Sequence, residues 1–196
     1  ETKLSEQVFN DNLRDGTTIQ LTAGTYELED DECIEINKQV TIVGEGDATV
    51  IKGSGTTDYG LGLFTFNGGS EGSTLSNLTI NYTADGAQRS AVYFNYGFSG
   101  EADEVTTIEN VTFNGASALE GLGDERAIAI SSTYLNNDSS VVISNCDINN
   151  FAYGMYFNGL KNVTVAGNNI DGTKYNGVIF AGDSEDYPCE NITISD

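Results

Sequence analysis

Four segments, Leu75-Ser-Asn-Leu-Thr-Ile80, Ile108-Glu-Asn-Val-Thr-Phe113, Ile143-Ser-Asn-Cys-Asp-Ile148 and Val165-Ala-Gly-Asn-Asn-Ile170, are variants of one pattern. Each opens and closes on an apolar side chain, with Asn or Gly third and Thr, Asp or Asn fifth. Looser copies surround Ile19 and Ile42, and Ile194 begins another, so the anchors recur 22 to 35 residues apart. A second family runs between them: Leu63-Phe-Thr-Phe66, Ala91-Val-Tyr-Phe94, Ala127-Ile-Ala-Ile130, Gly154-Met-Tyr-Phe157 and Gly177-Val-Ile-Phe180. Two strand families marching in step, with variable loops between, are the mark of a solenoid in which each coil touches only its neighbours.

Strands this short are unstable alone. Laid one on the next about 4.8 Å apart, they form ladders along the stack, and seven anchors give a rod of about 30 Å. Side chains then alternate in and out. The anchors Ile19, Ile42, Leu75, Ile108, Ile143, Val165 and Ile194 become an inner column, and Thr79, Thr112, Asp147 and Asn169 an outer one. Asn77, Asn145, Gly44 and Gly167 are expected at bends, where left-handed backbone angles suit Asn and Gly best. Cys146 takes the inward slot of Leu78 and Val111 and is read, with Cys33 and Cys189, as a free thiol. The reading is an all-β parallel β-helix of about seven coils forming a single domain over 1–196. Leu4, Val8, Phe9 and Leu13 lie on one helical stripe ending at Gly16, which predicts an N-terminal cap helix over 2–15 with coils from 17 onward. A bare sheet edge after Ile194 would invite pairing, so further coils are expected beyond Asp196.

Composition excludes several functions. Thirty acidic against eight basic residues give a net charge of −22. With roughly one net negative charge every nine residues, the chain cannot neutralise nucleic-acid phosphates and is repelled by anionic membranes. No apolar run reaches the ~20 residues needed to span a bilayer. The absence of histidine removes Ser-His-Asp, Cys-His and His-zinc chemistry. Twenty-three Gly against one Pro suit many short strands joined by tight turns.

The opening Asp15-Gly-Thr-Thr-Ile-Gln-Leu-Thr-Ala-Gly-Thr-Tyr26, with Val40-Thr-Ile-Val-Gly-Glu-Gly46 and Ile51-Lys-Gly53, resembles the first coils of right-handed, pectin-lyase-like β-helix proteins. The later Ile-Ser-Asn-Cys-Asp-Ile and Val-Ala-Gly-Asn-Asn-Ile units resemble their generic repeats. The resemblance implies right-handed coils and a helix capping the apolar end of the stack. It leaves the activity open, because that family includes polysaccharide lyases, glycoside hydrolases, phage tailspikes and microbial adhesin-like surface proteins. The Gly-His-Gly and Arg-Ile-Lys motifs of its polygalacturonase-type members are absent.

Among basic residues, only Arg89 and Arg126 lead directly into the second strand family. With Asp124 and Glu125 they form one candidate site, which a lyase or hydrolase reading would use. The other is the outward column Thr65, Tyr93, Ala129, Tyr156 and Ile179, in which Tyr93 and Tyr156 offer flat faces for stacking on sugar rings. Tyr153, Tyr175, Tyr96 and Tyr134 lie in adjacent turns. Acidic clusters such as 29–32, 101–104 and 183–186 fall in connections, and no segment matches a known Ca²⁺ loop, so no cofactor is expected. Six Asn-x-Thr/Ser sequons follow largely from the repeat itself. The expectation is a non-catalytic, extracellular, adhesin-like surface module contacting carbohydrate or a host surface. The alternative is a polysaccharide lyase or glycoside hydrolase working in the same groove.

Overall fold

The computed structural model describes residues 13–55, 61–83, 90–116, 127–135, 138–182 and 185–196. Its strands run β1 (Thr17–Gln20), β2 (Gly24–Glu27), β3 (Ile34–Ile36), β4 (Val40–Val43), β5 (Thr49–Gly53), β6 (Phe64–Phe66), β7 (Thr74–Tyr82), β8 (Ser90–Phe94) and β9 (Val105–Asn114). They continue as β10 (Ile128–Tyr134), β11 (Ser140–Ser144), β12 (Asp147–Asn149), β13 (Tyr153–Asn158), β14 (Val163–Ala166), β15 (Asn169–Asp171), β16 (Asn176–Ala181) and β17 (Ile192–Ser195). All pairings are parallel, and they form one sheet of eleven strands and one of six. The protein is a parallel β-helix.

Seven rungs lie along the larger sheet in the order β1-β4-β7-β9-β11-β14-β17. Ile19, Ile42, Leu75, Ile108, Ile143, Val165 and Ile194 pair rung to rung without a break. Thr79, Thr112, Asp147 and Asn169 make the parallel column expected of them. Ile42, Leu75, Ile108 and Ile143 are fully buried, whereas Ile194 on the last described rung is 63% exposed. Each interior anchor gains about 1.5–3 kcal/mol from leaving water, and that gain needs a rung on both sides.

Asn77, Asn110, Asn145 and Gly167 all take left-handed angles, with φ of 52–62° within the set. Their column is the bend that splits β7 and β9 into two straight halves and separates β11 from β12. Gly44 departs from the expectation, since it has no positive φ. A Cβ there would sit 2.9 Å from Leu78 Cβ and against the Asn77 carbonyl, so glycine is required by close packing rather than by backbone angle.

Asparagine also ties rungs together from outside. Asn149 donates to Asn114, and Asn114 donates to Asn81 at 3.0 Å. Asn95 donates to Asn67 at 2.8 Å, which donates to the Glu35 carboxylate at 2.9 Å. Identical amides on successive rungs satisfy each other's donors and acceptors, and each such bond contributes about 0.5–1.5 kcal/mol.

The cap helix expected over 2–15 is not seen. Residues 2–12 lie outside the described ones, Leu13 and Arg14 have no regular structure, and Asp15 is in a turn. Among the described residues there is no α-helix, only a 3₁₀ turn at Gly46–Ala48, and so no helix able to cross a membrane.

Cys33, Cys146 and Cys189 form no disulfide with one another. Burial pushes the Cys146 thiol up to about 11, and the nearby Asp147 and Glu109 carboxylates add to the rise. Keeping this thiol neutral favours the fold in full below pH 9.0, and that advantage is lost as pH rises through about 11. Iodoacetamide near neutral pH should therefore label half-buried Cys189 first, and Cys146 only once urea unfolds the chain. Mass mapping that finds native Cys146 alkylated as fast as Cys189 would contradict its burial.

Candidate functional site

The six-stranded sheet, in the order β16-β13-β10-β8-β6-β3, carries the candidate face. Its inward column runs Ile34, Phe64, Val92, Ile130, Met155 and Val178. Outward, the register gives Glu35, Thr65, Tyr93, Ser131, Tyr156 and Ile179. Ser131, rather than the expected Ala129, lies between the two tyrosines. Aligning Ala127–Ile130 with Ala91–Phe94 matched the apolar pattern but ended the strand too early. The register instead pairs Ile130 with Val92, and Ser132 with Phe94.

Ser132 thus occupies a position held by phenylalanine on the rungs below, and it is 3% exposed. A hydroxyl survives there because it accepts from Asn158 N–H at 2.9 Å and reaches the Asn158 carbonyl at 3.3 Å. Ala129 is fully buried.

A bend just before β6 and another just before β13 bring residues three apart together. Gly62 N–H donates to Thr65 Oγ1 at 2.8 Å, and Ser90 shares a hydrogen bond with Ser131 of the next rung. In β13 the same bend brings Tyr153 to Tyr156, with ring centroids 5.8 Å apart and planes at 79°. Tyr175 lies against the other side of Tyr153, at 5.2 Å and 31°. Lys174 Nζ stands 5.4 Å from the Tyr175 ring centre. Tyr175 is 47% exposed, while Tyr153 and Tyr156 are half-buried. Ile128 and Asn176 flank Tyr153 in register, and Ser131 and Ile179 flank Tyr156. The three rings form a corner with hydroxyl groups on it. Its signal in the sequence is Tyr153-x-x-Tyr156, which becomes informative only once the bend is known.

Tyr93, two rungs from Tyr156 in the same column, is also half-buried. Gly62 passes so close to it that a Cβ there would lie 2.9 Å from that of Tyr93. Tyr134 pairs instead with Tyr187 at 5.5 Å, and Tyr96 is exposed in a turn.

Arg89, Asp124, Glu125 and Arg126 lie outside the described residues. The strands that follow them, β8 and β10, are neighbours in the sheet. Two acidic clusters close their own turns: Glu29 N–H donates to Glu32 at 2.8 Å, and Glu101 N–H to Glu104 at 3.0 Å. Among the described residues no three His, Cys, Asp or Glu side chains are grouped to hold a metal ion.

Charge is distributed unevenly. Strands β6, β8, β10, β13 and β16 contain no charged residue, although 19% of the chain is charged. Glu35, on β3 at the end of the sheet, is the acidic member of this outer column. Compared with known proteins, the chain matches no family model, no curated protein and no solved structure.

Proposed function

We propose that the chain is a non-catalytic, extracellular surface module of adhesin-like character, holding carbohydrate on the outer face of its six-stranded sheet. The corner of Tyr153, Tyr156 and Tyr175 carries this reading. Tyrosine joins a flat apolar face to a hydroxyl at low entropic cost, and rings fixed against one another on a rigid sheet, Tyr175 exposed and Tyr153 and Tyr156 half-buried, are pre-organised for a ligand with one apolar face. The resemblance of the repeats to pectin-lyase-like β-helices supports the same direction, since surface adhesins are among its members.

The test is a glycan array read beside an assay for unsaturated products and new reducing ends on pectin and alginate. Binding without product release is expected. Replacing Tyr156 with Ala should weaken binding by about tenfold, equivalent to ~1.4 kcal/mol. Product release would overturn the non-catalytic assignment, and unchanged affinity of the Ala variant would reject the platform.

A further inference from the structure

The geometry points to an uncharged, extended pyranose chain, rather than a polyuronate, as the ligand of the tyrosine face, with stacking stations at Tyr156 and Tyr93. This inference rests on the carbohydrate reading above and specifies its chemical class.

Charge is the first observation. Five adjacent strands present no ionisable side chain except tyrosine, while the chain as a whole carries −22. A polyuronate approaching this surface meets the repulsion of the whole molecule without cations in the sheet to offset it. Among the described residues, Lys174 is the cation placed against these rings, and it lies beside Tyr175 rather than in the strand column. An uncharged sugar avoids that repulsion and still stacks its C–H face on a ring.

The second observation is spacing. Tyr93 and Tyr156 sit in one column with Ser131 between them, so their positions are about 10 Å apart, twice the ~4.8 Å rung. An extended pyranose chain advances by about one rung per unit. Two rings separated by a small residue therefore meet every second sugar, which suits a linkage that turns alternate units over. Thr65 and Ser131 are small and buried in the column, so the half-buried rings of Tyr93 and Tyr156 are what the face offers between them, and Ile179 extends the apolar strip past Tyr156. The 79° corner adds a second wall at Tyr156, so this station holds one sugar by its face and its edge.

The experiment is calorimetric titration of the protein with β-1,4-linked gluco- and manno-oligosaccharides, from disaccharide to hexasaccharide, beside oligogalacturonates of matched length. Low and high salt are compared. The expected result is binding of the neutral series, affinity rising until both stations are filled, and almost no dependence on salt. Tyr93→Ala should weaken the hexasaccharide several-fold and leave the disaccharide unchanged, whereas Tyr156→Ala weakens both. Tyr156→Phe, which keeps the ring, should retain most of the affinity, and unchanged circular dichroism would show that each variant is folded. Preference for oligogalacturonates, or a neutral series without length dependence, would overturn this inference and leave the carbohydrate reading standing. Absence of binding to either series, or binding only to a proline-rich peptide included as a control, would overturn both.

Discussion

Replacing Phe94 with Ala is expected to cost about 3–5 kcal/mol of folding free energy. Phe94 is fully buried on a middle rung, its ring 5.3 Å from Phe66 and 5.0 Å from Phe98. Deleting it loses the transfer energy of the ring and leaves a cavity between rungs that the rigid ladders on either side cannot collapse. Against a typical net stability of about 5–15 kcal/mol, that is a large fraction. Phe180 provides the comparison. It belongs to the same inward face and lies 5.4 Å from Phe157, but it is only partly buried at the end of the described stack. Phe180→Ala should cost clearly less. Because each coil contacts only its neighbours, Phe94→Ala should also broaden the urea transition as the two parts of the rod begin to melt separately. Equal losses for the two variants in urea unfolding would mean that burial depth along the rod does not set the energetics.

The column that Phe94 shares also shows what the sequence alone could reveal. Inward anchors such as Leu75, Ile108 and Ile143 were legible because a parallel stack repeats its demand for an apolar residue on every coil, whatever the loops do. The bend was legible for a similar reason, since left-handed backbone restricts the choice to Asn or Gly at Asn77, Asn145 and Gly167. The register of β10 was not. Its inner position is held by Ser132, whose polarity is cancelled by the backbone of Asn158 on the next rung. Hydrophobicity patterns cannot anticipate a hydroxyl satisfied by a residue 26 positions away. The ring corner was missed for the opposite reason. Tyr153 and Tyr156 would point to opposite faces of a straight strand, and only the bend at the start of β13 brings them together.

The same logic of contacts between coils governs the loops that border the tyrosine face, where one carboxylate has a disproportionate effect. Glu71 is 8% exposed and accepts from Gly69 N–H at 2.7 Å with one oxygen and from Ser99 N–H with the other. Gly69 follows β6 and Ser99 follows β8, so Glu71 joins the turns leaving two adjacent strands of the candidate sheet. Gly100 continues the chain of contacts by donating to Ser139 on the next coil. Glu71→Ala removes both acceptors and leaves two backbone donors without their partners, at about 1–3 kcal/mol each if buried. Because Gly69 and Ser99 are themselves exposed and water can replace the carboxylate, the total is expected at the lower end, near ~2 kcal/mol. Glu71→Gln is a sharper probe. It retains one carbonyl oxygen but sets an amide N–H₂ against the other donor, so it should lose about half as much. Hydrogen exchange provides the local measurement: the Gly69 and Ser99 amides should lose protection in both variants, while Leu75 and Ile108 in the ladder keep theirs. An alanine variant with wild-type urea stability and protected Ser99 would show that these turns are held by something other than the carboxylate.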